Sequence, residues 1–151
     1  MTIGEACNRD VITVKADTAI AEAVMLMKTY HVGDLVVVER GQGRPVPVGI
    51  LTDRDIALAV ARYGVRLPHL HVSDLMSREL VTCREQESIH NALKQMETNG
   101  VRRLPVVGAD GGLEGILTFD DVIELLSEDL TELARLVLRE QKKERLHGLE
   151  S

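Results

Sequence analysis

The feature that most constrains the fold of this chain is an internal repeat. Residues 49–55 read Gly-Ile-Leu-Thr-Asp-Arg-Asp, and residues 115–121 read Gly-Ile-Leu-Thr-Phe-Asp-Asp. Further matches precede both stretches at a constant spacing of 69 residues: Ile3 with Val72, Thr13 with Thr82, Ile20 with Ile89, Met27 with Met96, and Leu35 with Leu104. A shorter loop in the second copy then reduces the spacing to 66. Two copies are too few for a solenoid, so we expect two related halves packed face to face.

Each half carries the pattern α-β-α-β-β-α. Residues 35–38 form a continuous apolar run, which is typical of a buried strand, and residues 53–63 are predicted to form a helix. The side chains expected to face inward from the two helices of the first half are Ile20, Val24 and Met27, and then Ile56, Ala59 and Val60. Each half alone is too small to bury a satisfactory core. We therefore predict an α/β (α+β) fold with pseudo-twofold symmetry.

The repeated stretch brings a hydroxyl and carboxylates to the start of a helix. Thr52 and Thr118 each end a strand-like run, and Asp55 and Asp121 follow three residues later. Backbone N–H groups at a helix start lack partners, so they can donate hydrogen bonds to a capping threonine oxygen, and they also favour a bound anion. Capping alone explains one copy. Because the stretch occurs twice at equivalent positions of the repeats, we also consider a binding site enclosed by the two copies.

Charge and cysteine content exclude several classes of protein. The 151 residues carry a net charge of −6, which disfavours binding along a nucleic-acid backbone. The N-terminal residues lack a basic signal region, and no apolar run is long enough to span a bilayer, so we expect a cytoplasmic protein without membrane contact. Cys7 and Cys83 are too few for a disulfide framework or a zinc cage.

Enzymatic activity is not expected either. The paired carboxylates of the two repeated stretches have no accompanying nucleophile, and acidic residues are favoured at helix starts in any case. His69 and His71 lack a spacing that would demand a metal. The sequence therefore predicts no catalysis, no metal site and no required cofactor.

Two further motifs accompany the duplicated Gly-aliphatic-aliphatic-Thr-x-x-Asp stretches: Val-Ser-Asp-Leu-Met at residues 72–76 and Val-Arg-Arg-Leu-Pro-Val-Val at residues 101–107. Together these motifs resemble a tandem cystathionine β-synthase (CBS) domain pair, also called a Bateman module. The resemblance covers roughly residues 1–127. The resemblance implies a regulatory module that binds adenosine-containing ligands such as AMP, ADP, ATP or S-adenosylmethionine in clefts between the repeats, often as a dimer of discs.

The resemblance also implies roles for individual residues. Asp55 and Asp121 are expected to accept hydrogen bonds from ribose hydroxyls, while Thr52 and Thr118 are expected to face phosphate. An adenine ring needs an apolar slot. The expected walls of that slot are the strand residues Ile12, Val81, Ile50 and Ile116.

The two copies differ in charge at one pair of positions. Arg102 and Arg103 precede Leu104, whereas Gly33 and Asp34 stand at the equivalent positions of the first copy. Arginine offers several donors to a phosphate, and Asp34 would repel one. We therefore expect unequal sites, with phosphate affinity centred on Arg102 and Arg103. The sequence does not identify which cleft these two arginines face. The alternative is that both arginines are solvated or pair with surface carboxylates.

The expected domains are a first repeat at residues 1–67, a second at residues 68–127, and an amphipathic C-terminal helix with a charged tail at residues 128–151. The apolar side chains of that helix are spaced four, three and four: Leu126, Leu130, Leu133 and Val137. It is expected either to pack on its own disc or to cross to a second subunit or a regulated partner.

Taken together, the sequence predicts a stand-alone regulatory protein, a homodimer that senses an adenine nucleotide. Ligand binding would shift the arrangement of the two repeats and so signal to an unidentified regulated protein. Two alternatives remain open. One is a structural or interaction module with empty clefts, and the other is a sensor of another adenosyl ligand such as S-adenosylmethionine.

Overall fold

The computed structural model of the chain describes residues 1–150, except the side chains of residues 149 and 150; Ser151, the last residue of the predicted C-terminal segment, lies outside it. The first half contains α1 (Ile3–Ala6), β1 (Thr13–Lys15), α2 (Ile20–Tyr30), β2 (Asp34–Glu39), β3 (Val46–Thr52) and α3 (Asp53–Tyr63). A 3₁₀ helix at Gly64–His69 leads to the second half, which contains α4 (Val72–Leu75), α5 (Ile89–Asn99), β4 (Arg103–Val107), β5 (Leu113–Thr118) and α6 (Phe119–Glu150).

The predicted order of elements is confirmed in the first half, and the second half departs from it once. In the first half, β1 pairs in parallel with β2, and β2 pairs antiparallel with β3. In the second half, β4 and β5 form an antiparallel pair, while the expected first strand is reduced to a single parallel bridge between Cys83 and Val106. The apolar run at residues 35–38 is buried, as predicted for a covered strand.

The two halves exchange their N-terminal segments. Ile3 of α1 lies in the core of the second half with Leu104 and Leu117, whereas Val72 of α4 lies in the core of the first half with Leu35. Backbone hydrogen bonds fix both segments, because residue 8 pairs with residue 116 and residue 77 pairs with residue 50. The two halves therefore pack with the predicted pseudo-twofold arrangement, and each half also contributes its N-terminal segment to the core of the other.

Glycines of the repeated stretch permit this exchange. A Cβ atom at Gly49 would lie 2.6 Å from the carbonyl oxygen of Ser77, and one at Gly115 would lie 2.9 Å from that of Asn8. Any side chain at these positions would collide with the incoming backbone. A further small cluster, in which Val36 packs with Leu113 and others, joins the sheets of the two halves.

Two predicted core positions are wrong. Val24 is 39% exposed and Val60 is 55% exposed, so neither faces the core. Helix α2 instead buries Ala23, while α3 buries Ala59, as predicted. The valines fit the helical spacing equally well, but an alanine lets the helix backbone approach the sheet more closely, which turns the neighbouring valine outward.

The final helix of the second half and the predicted C-terminal helix are one uninterrupted helix, α6. Val122 in its first turns is fully buried against the second half. From residue 126 to residue 148, by contrast, every side chain is exposed. The C-terminal part therefore does not pack on its own half. Among the helices of residues 1–150, none has both the length and the apolar character to cross a bilayer.

Candidate ligand-binding clefts

A cavity of about 310 Å³ lies at the start of α6 and is lined by both halves. Six of the ten residues predicted to bind ligand line it: Ile12, Ile116, Thr118, Asp121, Arg102 and Arg103. Ile12 belongs to the first half, and the other five belong to the second. The exchange of N-terminal segments explains this composition, because the segment that leads into β1 crosses beside β5.

The start of α6 supplies polar groups to the cavity. The Oγ1 atom of Thr118 accepts a hydrogen bond of 3.1 Å from the backbone N–H of Asp121, so the threonine caps the helix. Within residues 1–150 the carboxylate of Asp121 accepts no hydrogen bond. This half-buried carboxylate lines the cavity and is available to a ligand.

The equivalent groups of the first copy are arranged differently. Thr52 Oγ1 accepts a hydrogen bond of 3.1 Å from the backbone N–H of Asp55, and the carboxylate of Asp55 accepts one of 2.9 Å from the backbone N–H of Thr52. This reciprocal pair is a capping box. The carboxylate of Asp55 therefore closes back onto its own helix, and the cavity at α6 contains neither residue.

The two other predicted wall residues also lie outside this cavity. The backbone of Ile50 forms two hydrogen bonds with that of Ser77, of 3.1 and 2.9 Å. Val81 is partly buried against the core of the second half. Their predicted role in a first cleft stays a prediction.

Arg103 is held by an acidic side chain from the other half. Its Nε atom donates to Asp34 Oδ2, and the side chains are only 34% and 21% exposed. These two residues are separated by 69 positions, so they occupy equivalent places in the two repeats. The ion pair therefore joins the two halves near their pseudo-twofold axis, where Asp34 and Arg103 also line the cavity.

Arg102 has looser contacts. Its Nη2 atom lies 3.6 Å from Asp120 Oδ1, and both side chains are largely exposed, so this ion pair contributes little to stability. The guanidinium also lies 5.2 Å from the centroid of the Phe119 ring, which is a favourable cation–π distance. Both arginines thus have carboxylate partners in the ligand-free protein, while their contact with a phosphate stays a prediction.

The charge of the cavity lining is negative on balance. Four aspartates and two arginines line it: Asp10, Asp34, Asp120, Asp121, Arg102 and Arg103. At neutral pH these groups carry a net charge of −2. A lining of this kind favours a ligand with few negative charges over a polyphosphate.

Sequence reasoning missed two features of this site. Phe119, which stacks with Arg102 and lines the cavity, was not considered as a site residue. Asp34 was recognised as an unfavourable neighbour of phosphate, but not as the partner of Arg103. The 69-residue spacing could have revealed this pair, because equivalent positions near a pseudo-twofold axis approach each other.

Cys83 is buried in the core of the second half, and Cys7 is partly buried against it. Burial raises the pKa of the Cys83 thiol to about 12, with further contributions from Glu87 and Cys7. Burial also raises the pKa of the Cys7 thiol, although nearby Arg9 opposes this effect. Because the thiolate is the reactive form, neither side chain is suited to act as a nucleophile.

Comparisons with known proteins agree with this architecture. The family model of the CBS domain matches residues 3–62 and 72–128. The CBS domain-containing protein YhcV from Bacillus subtilis is 38% identical over 121 residues, which cover 80% of this chain and 82% of YhcV. The uncharacterized protein MK0525 from Methanopyrus kandleri is 32% identical over 125 residues, which cover 83% of this chain but only 62% of that protein.

A solved structure shares the fold. The crystal structure of CBSX2 in complex with AMP superimposes with a TM-score of 0.69 at 26% sequence identity. The match covers 84% of this chain and 96% of that chain.

Proposed function

The chain belongs to the CBS-domain family and forms a CBS pair, a regulatory module, and from this premise we propose that it binds AMP in the cavity at the start of α6. The observation that carries the proposal is the meeting of Ile12, Ile116, Thr118 and Asp121 around one cavity. The AMP complex of CBSX2 adds support, because that protein shares the fold.

The cavity offers a suitable group to each part of a nucleoside monophosphate. Ile12 and Ile116 provide apolar walls for the adenine ring. The unengaged carboxylate of Asp121 accepts hydrogen bonds from both ribose hydroxyls. The phosphate lies at the N-terminus of α6, next to Thr118 and at the positive end of the helix dipole. The volume of about 310 Å³ lies at the small end of ligand sites, which favours a mononucleotide.

Charge limits the number of phosphates that bind. The lining carries a net charge of −2, and Arg103 is already paired with Asp34. Additional phosphates would therefore meet four aspartates, with only the loosely held Arg102 available to oppose the repulsion. We propose that affinity falls from AMP to ADP to ATP.

The same negative lining favours a second candidate, S-adenosylmethionine. Its sulfonium is positive, so the aspartates of the cavity would attract it. AMP remains the first choice because the N-terminus of α6 favours an anion and Arg103 is close. The two ligands are distinguished by direct titration.

The proposed output is a conformational shift. Both halves line the cavity, so a ligand that binds one relative position of the halves more tightly shifts the population towards it. The proposal includes no reaction at this site, and the signal passes to a partner protein that recognises the shifted arrangement.

The test is calorimetric titration of the full chain with AMP, ADP, ATP, S-adenosylmethionine and NAD, repeated on two matched variants. Asp121→Ala removes the unengaged carboxylate and is expected to weaken AMP binding by at least about tenfold, or about 1.4 kcal/mol. Asp55→Ala removes the carboxylate of the capping box, so it should leave AMP affinity unchanged and lower stability by about 1 kcal/mol.

The outcomes separate the competing functions. Binding of AMP that depends on Asp121 supports the proposal, whereas tighter binding of S-adenosylmethionine supports the second candidate. Equal losses from both variants would contradict the assignment of this cavity. No heat with any of the five ligands would favour an interaction module with empty clefts.

A further inference from the structure

The segment at residues 8–12 forms one wall of the cavity at the start of α6. Four of its five residues line that cavity, and the exception, Arg9, pairs with Glu85 instead. Val11 also packs against the small cluster that joins the sheets of the two halves. The segment lies between α1 and β1, so no helix or strand fixes its conformation. Other contacts must therefore hold this wall in place.

Each end of this segment is hydrogen-bonded to a different half. Asn8 and Ile116 of β5 exchange two backbone hydrogen bonds of 2.9 Å, which anchors the first end to the second half. The carbonyl oxygen of Ile12 accepts a bond of 3.2 Å from the backbone N–H of Val36, which lies on β2 of the first half. The anchors are four residues apart along the chain, so they are separated by at most about 14 Å. The conformation of residues 9–11 therefore sets the cavity wall and the spacing of the halves together.

A side-chain hydrogen bond fixes the turn between the two anchors. The Oδ1 atom of Asn8 accepts a bond of 3.0 Å from the backbone N–H of Asp10. This is an Asx turn, in which the side chain of an asparagine or aspartate takes the place of a backbone carbonyl. Within residues 1–150 the Nδ2 group of Asn8 donates no hydrogen bond. The acceptor oxygen alone therefore connects this side chain to the wall.

The equivalent segment of the second repeat is anchored without such a turn. Ser77 stands 69 positions after Asn8, and its backbone exchanges bonds of 3.1 and 2.9 Å with that of Ile50. In the part of the chain that the structure describes, the Ser77 hydroxyl forms no hydrogen bond, and Ser77 does not line the cavity. Backbone pairing is therefore sufficient for the exchange. The turn at Asn8 is an additional contact on the side that carries the cavity.

We propose that Asn8 is a positioning residue for the ligand, which acts by holding Asp10, Val11 and Ile12 in the arrangement that accepts the ligand. The inference rests on the proposed function. When only a fraction of the protein has the binding-competent arrangement, the apparent dissociation constant rises by the inverse of that fraction. The Asx turn keeps that fraction high in the free protein, and the amide of Asn8 need not touch the ligand.

The first test measures the binding of AMP and adenosine to the full chain after Asn8→Ala. This variant should bind both ligands about fivefold more weakly, an effect of the size expected from the loss of one hydrogen bond. The association rate should fall while the dissociation rate stays unchanged, because fewer free molecules accept the ligand but the complex is the same. Line-shape analysis of NMR titrations measures both rates.

The matched control is Ser77→Ala, at the equivalent position of the second repeat. It removes a hydroxyl that lies outside the cavity lining, so it should leave both rates unchanged. Urea denaturation verifies that both variants are folded under the conditions of the titrations. Folding of Asn8→Ala is expected, since the bonds between residue 8 and Ile116 join backbone atoms only.

The variant Asn8→Asp separates positioning from direct contact with the ligand. An aspartate keeps the oxygen that accepts the bond of the Asx turn, but it lacks the amide donors. Adenosine is the probe for this variant, because adenosine is neutral and the added negative charge would repel the phosphate of AMP. The affinity for adenosine should equal that of the wild type. If Asn8 donated a hydrogen bond to the ligand, Asn8→Asp and Asn8→Ala would both weaken adenosine binding.

The outcomes distinguish this inference from the proposed function. Wild-type protein that binds neither AMP nor adenosine would refute the proposed function, and this inference with it. Wild-type binding that Asn8→Ala leaves unchanged, or a loss that Ser77→Ala reproduces, would refute the inference alone. The same holds for a loss of adenosine affinity that Asn8→Asp shares with Asn8→Ala, or for a loss that lies only in the dissociation rate.

Discussion

The two copies of the Thr-x-x-Asp stretch have nearly the same sequence but different arrangements of their carboxylates. At the start of α3, Asp55 accepts a hydrogen bond from the backbone of Thr52 and completes a capping box. At the start of α6, Thr118 caps the helix while the carboxylate of Asp121 lines a cavity. A repeated motif therefore encodes the same helix start twice, but its neighbours decide whether its carboxylate is available.

The residues that face the two helix starts also differ. The backbone contact is conserved between the copies, because Asp53 N donates to Gly33 O over 2.9 Å and Phe119 N donates to Arg102 O over 2.8 Å. The side chains differ. A glycine faces Asp53 in the first copy, whereas an arginine stacks on Phe119 in the second. The start of α6 therefore carries an arginine and an aromatic ring where the start of α3 has a glycine and an aspartate.

The largest expected effect concerns the glycines that admit the exchanged segments. Gly49→Ala should lower the free energy of unfolding by about 3 kcal/mol and Gly115→Ala by about 1–2 kcal/mol, because overpacking of a tight contact has effects of this size. The order follows from the distances of the added Cβ to a backbone oxygen, 2.6 Å and 2.9 Å. Urea denaturation measures both values.

The control for this comparison is Gly148→Ala, since a Cβ there meets no atom within 4 Å. It should leave stability unchanged or raise it slightly, as expected for alanine in a helix. A Gly49→Ala variant as stable as this control would contradict the close approach of residue 77.

An intermediate effect is expected from the ion pair between equivalent positions. Asp34→Asn keeps the shape of the side chain but frees the charge of Arg103 and removes a negative charge from the cavity. The affinity for ATP relative to AMP should therefore rise about fivefold, or about 1 kcal/mol. Competition titrations with the two nucleotides measure the ratio.

The variant Asp10→Asn separates the effect of freeing Arg103 from the effect of removing a negative charge from the cavity. Asp10 lines the same cavity, but within residues 1–150 its carboxylate pairs with no arginine. Its removal changes the charge without freeing Arg103, so a smaller gain is expected. Equal gains from the two variants would show that net charge alone sets the selectivity.

A pH-dependent effect distinguishes the first strand regions of the two halves. Cys83 stands 69 positions after Val14, and burial raises the pKa of its thiol from the ordinary value of 9.0 to about 12. The folded protein therefore keeps the proton when the unfolded chain has released it. Stability from this source is complete below pH 9 and falls as the pH rises from 9 towards 12.

Cys83→Val provides the comparison for this pH dependence. Wild-type protein should lose more stability than the variant between about pH 8 and about pH 10.5. Urea denaturation at both values measures the difference, and parallel pH profiles would show that the thiol is not desolvated in the folded state.

Local patterns in the sequence were sufficient to predict most of the elements. The repeat spacing, the buried strand at residues 35–38 and the helix from Asp53 to Tyr63 depend on short stretches of apolar residues and on capping side chains, and these are confirmed. The second half lacked its expected first strand, and Val24 and Val60 were assigned to the wrong face. Those errors occurred where packing against another element, rather than periodicity, sets the result.

The sequence by itself determined that there are two halves, that Thr52 and Thr118 cap the helices that follow them, and that the arginine pair Arg102 and Arg103 stands in the second half only where the first has Gly33 and Asp34. Only the tertiary structure decided that the N-terminal segments are exchanged, that Ile12 and Asp121 line one cavity, that Arg103 pairs with Asp34, and that the side chains of α6 from residue 126 to residue 148 are exposed. The physical reason is the distance along the chain over which each kind of interaction acts. Capping and periodicity act over a few neighbouring residues, whereas these contacts join positions 27 or more residues apart, and their geometry depends on how the two halves pack.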